Sequence, residues 1–288
     1  LIDLHSHTNE SDGTFSPAEL VAEAGRCGVT VLGITDHDTF GGYEQAVAPA
    51  RAAGLELVCG IELSTKLKRQ SVHLLGYFPG GEAPPEPMRL WVRELQASRR
   101  DRNVRLAARL REFGFDITIE EAEARGRGMT GRPHFAQLLV EKGYVANFRQ
   151  AFDEYLDESA KGYVDRREPT LIEAVGRIRE AGGVASLAHP VRIRDCDISE
   201  LLPGLCAAGL NAIEAYHSDH SPEETALYLA LARKHGLLVT GGSDFHGAVK
   251  PSVRLGSGIE GNLHVPEPVI EALRQSGVTP IARKFIGT

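Results

Sequence analysis

No stretch of the 288 residues approaches the roughly 20 consecutive apolar positions needed to span a bilayer. Nor does a basic segment followed by an apolar run stand near Leu1–His7. A cytoplasmic setting is therefore the expectation. Cysteine is scarce: Cys27, Cys59, Cys196 and Cys206 form no CxxC pair, and three of the four sit among apolar neighbours. That spacing argues against a zinc knuckle, and buried thiols in a reducing compartment are expected rather than disulfides. A net positive charge is missing too, with 39 acidic side chains against 32 basic ones and a formal charge of -7. The overall field does not favour duplex nucleic acid or an anionic membrane. No low-complexity segment interrupts the chain. What is present is an ordinary globular composition, 42% hydrophobic and 25% charged, enough for one large barrel or two modest domains.

The charge is unevenly spread. Residues 99–168 carry 14 Lys and Arg against 13 Asp and Glu, and Arg89–Arg111 holds eight arginines against Glu94 and Asp101. A solvated helix face is the simpler account of that run; an anion-facing surface is the alternative.

Most of the chain reads as strand then helix, repeated. Val29–Thr35, Leu55–Ile61, Val184–Ala188, Leu210–Tyr216 and Leu237–Thr240 are short apolar runs bounded by Gly or Pro, the pattern of buried parallel strands. Helix starts are explicit at Ser16, Thr170 and Ser221, each with Glu three residues on and two with Pro at the first helical position. Gly28, Gly54, Gly182 and Gly236 then stop helices just before the next strand. Repeated βα units at both ends of the chain favour a closed α/β barrel over an open sheet. The rhythm breaks twice. Leu63–Ser71 is too short for a crossover helix, so Val72–Phe78 is expected to return antiparallel to Leu55–Ile61, with His73 beside Glu62. Residues 86–168 are helical throughout, with segments at Arg89–Phe113, Ile119–Arg125, Pro133–Lys142 and Phe148–Leu156. The expected division is a barrel of residues 1–98 and 168–288 with a helical insertion, 99–167, over its mouth.

His5, His7, Asp12, His37, Glu62, His73, His189, Asp244 and His246 nearly all fall at the C-terminal end of an expected strand. In a parallel barrel those ends converge on one mouth. His5 and His7 are two apart on an extended segment and share a face, as do Asp244 and His246. Taken singly, Asp12 in Ser11-Asp12-Gly13 is a turn residue, and His235 and His264 are surface or capping residues. Independent structural roles do not place six histidines at successive strand ends, so a metal cluster is expected. Imidazole and carboxylate donors without thiolate suit Mn, Fe or Zn.

His5-Ser6-His7, Thr35-Asp36-His37, Gly60-Ile61-Glu62, His189-Pro190 and Asp244-Phe245-His246 resemble, in order and along nearly the whole chain, the motifs of the PHP phosphoesterases of the amidohydrolase superfamily. The resemblance implies a distorted (β/α)7 barrel carrying three divalent ions, Mn2+ by preference. It implies His5, His7, Glu62 and Asp244 on the first ion, Glu62 bridging to a second completed by His73 and His189, and Asp12, His37 and His246 on the third. Three ions bring about +6 against about -4 from three carboxylates and one hydroxide, leaving a site near +2 that matches a phosphate dianion. The His-Thr-Asn-Glu-Ser-Asp-Gly start and Thr130-Gly131-Arg132-Pro133-His134 are most similar to the 3',5'-nucleoside bisphosphate phosphatases, whose relatives also trim short RNA from the 5' end. The implied activity is removal of the 3'-phosphate to leave the 5'-monophosphate. The implied partners are small nucleotides or short oligonucleotides. Alternatives are a histidinol phosphatase, a 5'-3' exonuclease on short oligonucleotides, or a metal-stabilised module without turnover. Arg132 and His134 on the insertion and Arg192 after His189-Pro190 are the expected anchors for further phosphate, since guanidinium groups fork onto phosphate oxygens. His217 is the expected proton donor to the leaving group.

Overall fold

Apolar runs closed off by glycine emerge as strands, and the segments between them as helices with the caps their sequences specify. The computed structural model describes residues 1–68, 70–79, 83–126 and 129–276. The first half comprises β1 (Ile2–Asp3), α1 (Pro17–Cys27), β2 (Val31–Ile34), α2 (Gly41–Ala53), β3 (Glu56–Leu67), β4 (Gln70–Phe78) and α3 (Glu86–Glu112). The helices α4 (Ile119–Arg125), α5 (Arg132–Glu141) and α6 (Phe148–Ala151) follow, the last continued by a π-helical turn at Phe152–Leu156. The chain then gives α7 (Leu171–Glu180), β5 (Val184–Leu187), α8 (Ile198–Ala207), β6 (Ala212–His217), α9 (Pro222–His235), β7 (Leu238–Gly242) and α10 (Glu267–Gln275).

Ser16 and Ser221 build full capping boxes with Glu19 and Glu224, and the Thr170 side chain accepts the Glu173 N–H. Gly28, Gly54 and Gly236 end α1, α2 and α9 in the left-handed conformation that glycine adopts without steric cost.

β1 to β7 lie in chain order in one sheet, parallel except for β4, which is antiparallel to both neighbours. The first and last strands meet through Leu4 N–H to Gly241 O at 3.1 Å and Asp244 N–H to His5 O at 2.8 Å, so the sheet closes on itself as a distorted barrel. A side chain at Gly242 would begin 2.2 Å from the His5 nitrogen, which makes glycine the residue that lets this seam close. β3 runs six residues past the expected end because β4 returns directly along it. Ser64 pairs with His73, and Glu62 with Leu75. Alternation then puts Glu62 and His73 diagonally on one face.

One apolar cluster fills the space between the sheet and its surrounding helices, and a second, including Leu4, Tyr77 and Val184, is closed by Val269, Ile270 and Leu273 of α10. A third belongs to the helices after α3 and holds Phe135, Leu138, Leu139 and Leu156. α3 joins two of these: Trp91, Val92 and Leu95 pack into the barrel cluster, and Leu106 and Leu110 into the helical one. Between them, on the same stripe, stand Arg99 and Arg102, both buried. The basic run is thus both of its readings at once. Arg89, Arg93, Arg100, Arg105 and Arg109 are paired with acids at the surface, while Arg99 and Arg102 turn inward.

The expectation of buried thiols holds for Cys59 alone. Cys27, Cys196 and Cys206 are half-buried, and all four are free. The described residues contain no helix long and apolar enough to cross a membrane.

Candidate active site

The strand ends deliver the expected residues to one place. β1 runs into His5 and His7, whose Nε2 atoms lie 3.3 and 3.1 Å from Glu62 Oε2, and 3.5 and 3.3 Å from Asp244 Oδ1. Ligand atoms of these four residues lie within 4.8 Å of one another. His7, Asp12, His37 and His246 form a second such group, with His246 Nε2 3.2 Å from Asp12 Oδ1. His37, Glu62 and His73 form a third. His189 joins through Glu62, whose Oε1 lies 2.9 Å from His189 Nε2 and 2.8 Å from His73 Nδ1. Glu62 therefore lies within reach of His5, His7, His37, His73 and His189.

The donor set fits divalent ions. Nε2 of His5 and His7 and Nδ1 of His37 and His73 are buried with no hydrogen-bond partner, a costly state unless each nitrogen has a ligand to donate to. Protonation divides the imidazoles. Burial opposes charge on His5, but Glu214, Glu62 and Asp244 outweigh it and hold the group well above the ordinary range. Against the same burial, Asp244 and Glu62 push His7 up to about 9. Burial drives His37 and His189 down to about 3, leaving them neutral donors. Although burial favours its neutral form, Glu62 is held far below the carboxylate range by His37, His73 and His5.

The supporting groups explain why the ligands stay put. Asp36 accepts from Thr8 N–H, the Thr8 hydroxyl and the Ser11 hydroxyl, fixing the loop that carries Asp12. Asp3 accepts from the backbone and hydroxyl of Ser243, beside Asp244. Asp38, His189 and Asp244 have φ of 52°, 23° and 56°. Such left-handed non-glycine backbone costs roughly 1–3 kcal/mol each and concentrates at functional sites.

A cavity of about 310 Å³ opens over the cluster, reached by Asp12, His37, Glu62, His73, Asp244 and His246 from the barrel. Its other wall is basic: Arg99 and Arg102 from α3, Arg132 from α5, and Arg166. Arg99 pairs with Asp38 and donates to Ser64 Oγ at 2.7 Å, and Arg166 pairs with Glu168 at 2.8 Å. Among the described residues the Arg132 guanidinium makes only a 3.2 Å bond to Leu156 O. Arg102 is 4% exposed, and no ion pair or hydrogen bond of its guanidinium occurs among the described residues. Burial, and then Arg99, Arg132 and Arg166, pull it well below the usual guanidinium range.

The remaining expected residues sit differently from one another. Arg192 lines the cavity, but its Nη2 is held by Asp219 at 2.5 Å and Asp244 at 2.9 Å. His134 lines an adjoining hollow shared with Asp12 and Phe148, and its Nδ1 accepts the Gly131 N–H at 3.0 Å. His217 is buried behind the ligands. Its Nδ1 accepts the Asp219 N–H, its Nε2 lies 3.7 Å from Asp244 Oδ2, and it is absent from the cavity wall, so its position suits holding Asp244 better than meeting a leaving group. Sequence reasoning missed Glu214, Arg99, Arg102, Arg166 and Lys250, the last 2.5 Å from Asp244 Oδ2. Glu214, the lone charge in the apolar run Leu210–Tyr216, carried a signal.

A model of the PHP domain matches residues 3–165. The chain belongs to the PHP family. A 3',5'-nucleoside bisphosphate phosphatase of Chromobacterium violaceum is 34% identical over 252 residues, 85% of this chain and 87% of the relative. The 5'-3' exoribonuclease Rnm of Escherichia coli is 34% identical over 278 residues, 91% of this chain and 92% of the relative. A solved chain from Bifidobacterium adolescentis, described as a metal-dependent phosphoesterase, has a TM-score of 0.84 at 33% identity, and the match covers 98% of both chains. This PHP protein is a metal-dependent phosphoesterase. Divalent ions in such a site polarise the ester and lower the pKa of water. The protein itself supplies the donor set, the neutral state of His37 and His189, and the basic wall.

Proposed function

We propose that the enzyme hydrolyses the 3'-phosphate of nucleoside 3',5'-bisphosphates, such as adenosine 3',5'-bisphosphate, to the 5'-monophosphate and phosphate. The proposal includes three Mn2+ ions held by the nine residues at the strand ends. The observation that carries it is the wall opposite the cluster. Of the four guanidinium groups there, Arg99 and Arg166 pair with Asp38 and Glu168, while Arg102 and Arg132 have no ion pair among the described residues. A phosphate dianion supplies a countercharge for those two. A substrate with one phosphate on the cluster and a second on the arginines satisfies both walls; a simple monoester leaves the buried Arg102 charge unmet.

The exoribonuclease reading is favoured by the same geometry. In a 5'-phosphorylated RNA the phosphorus on the first 3'-oxygen is attacked as in a bisphosphate, and the 5'-monophosphate again departs. The substrates differ only in whether that phosphorus bears a further nucleoside, for which the adjoining hollow of about 360 Å³ offers space. Steady-state kinetics with added Mn on adenosine 3',5'-bisphosphate, a 5'-phosphorylated dinucleotide, adenosine 5'-monophosphate and histidinol phosphate tests the reading. The first two are expected to lead in kcat/KM. Equal or better turnover of either monoester refutes it.

A further inference from the structure

We propose that the nucleobase stacks on the ring of Phe148 at the lip of the cavity, a contact that selects nucleosides over abasic phosphates without choosing among bases. The inference rests on the nucleotide reading above and adds the group that holds the third part of the substrate.

Among the described residues, seven large apolar side chains stand exposed, and two of them, Phe148 at 39% and Val249 at 43%, line this one cavity. They come from distant parts of the chain. Phe148 opens α6, and Val249 ends the short turn after the expected ligand His246. The ring's position is set locally, because Asn147 caps α6 by accepting the Gln150 N–H at 2.9 Å. One turn on, Phe152 lines the same cavity, as residues four apart on a helix share a face. Yet Phe113, Phe115, Tyr144 and Tyr155 of the same insertion form a chain of tilted and edge-on ring contacts, and neither Phe148 nor Phe152 has an aromatic partner among the described residues. An apolar ring left without a partner beside an anion site is suited to a ligand that is charged at one end and flat and apolar at the other.

Specificity follows from what the lip lacks. Among the described residues no Asn or Gln lines this cavity, whose apolar lining includes Met129 and Pro133; Asn9 and Gln137 belong to the adjoining hollow. Stacking reads a π face that every base offers, whereas discrimination among bases needs donors and acceptors at their edges.

The test compares kcat/KM for adenosine and uridine 3',5'-bisphosphates with that for abasic ribose 3,5-bisphosphate, in the wild type, Phe148→Ala and Phe148→Trp. Base stacking predicts that Phe148→Ala loses about tenfold to a hundredfold on both nucleosides, mainly through KM, and less than about twofold on the abasic compound. Phe148→Trp is expected to restore the nucleoside preference. Its added fluorescence is also expected to be quenched when adenosine 3',5'-bisphosphate binds protein stripped of metal by a chelator. An equal loss on all three substrates would reduce Phe148 to a structural residue and overturn the inference, as would no loss at all. A wild type that prefers bisphosphates to monoesters, yet treats abasic and nucleoside forms alike, overturns stacking and leaves the bisphosphate reading standing. A wild type with no preference for bisphosphates overturns both.

Discussion

Glu214 Oε1 lies 2.9 Å from His5 Nδ1, in a contact that solvent does not reach. The other oxygen of the same carboxylate accepts the His189 backbone N–H at 2.7 Å. One buried acid thus orients two imidazoles whose outward nitrogens face Glu62. Carboxylates in this position fix the tautomer of a metal-binding histidine and raise its basicity.

Glu214→Gln keeps the shape and removes the charge. The expected result is a loss of about tenfold to a hundredfold in metal affinity, with turnover recovered at saturating metal. Titrating activity and bound metal against free Mn separates the two, and unchanged affinity would show that Glu214 serves only the packing.

Asp244→Asn is expected to lower turnover by orders of magnitude with the fold intact, as is His7→Ala. Asparagine tolerates the left-handed backbone at position 244, where φ is 56°. It lacks the charge that His5, His7, Arg192 and Lys250 all face. Circular dichroism and phosphate release, measured on the same preparations, check both halves.

Metal loading should release protons, with a sign set by the two raised histidines. Without ions, His5 and His7 are protonated at neutral pH, and an ion can bind only their neutral forms. His37 and His189, pushed down to about 3, have nothing to release. Affinity therefore rises with pH as long as His5 and His7 are protonated and levels off once they have lost their protons, with His7 titrating at about 9. Calorimetry in buffers of different ionisation enthalpy counts the protons. Binding that grows stronger toward acid pH contradicts the arrangement.

Arg102 and Arg192 line one cavity but should behave oppositely. Arg102→Gln, like Arg132→Ala, is expected to cost roughly 1.5 to 3 kcal/mol in kcat/KM on a nucleoside 3',5'-bisphosphate and little on p-nitrophenyl phosphate. Arg192→Ala removes one of the two cations that hold Asp244 Oδ2 and should impair both substrates alike. The ratio of the two kcat/KM values in each variant is the measurement.

Most of the histidines were legible because they stand at the end of an apolar run, and the return of β4, which His73 helps to open, was legible because Leu63–Ser71 is too short for a helix. His73 reached Glu62 as that return implied. Arg99 and Arg102 were harder. They lie four and seven residues after Leu95, on the stripe that buries Leu95 and Leu106, but an arginine on such a stripe is bland until a cavity is known to lie beneath it. Glu214 meets a histidine 209 residues away, and Arg192 an aspartate 27 residues away, distances that local pattern does not register. The conversion of the expected Phe148–Leu156 helix into one α turn and one π turn also lacks a local signal.

The seam between β1 and β7 imposes an order in time. His5 and His7 leave the ribosome early, and the strand that completes their surroundings arrives some 240 residues later, as the Ser243 to Asp3 hydrogen bond records. At ordinary synthesis rates that interval is on the order of ten to fifty seconds. Until Asp244 docks, the two histidines lack one of the carboxylates that face both of them, and a copy abandoned before that point never gains it. Catalytic competence is thereby tied to the finished barrel.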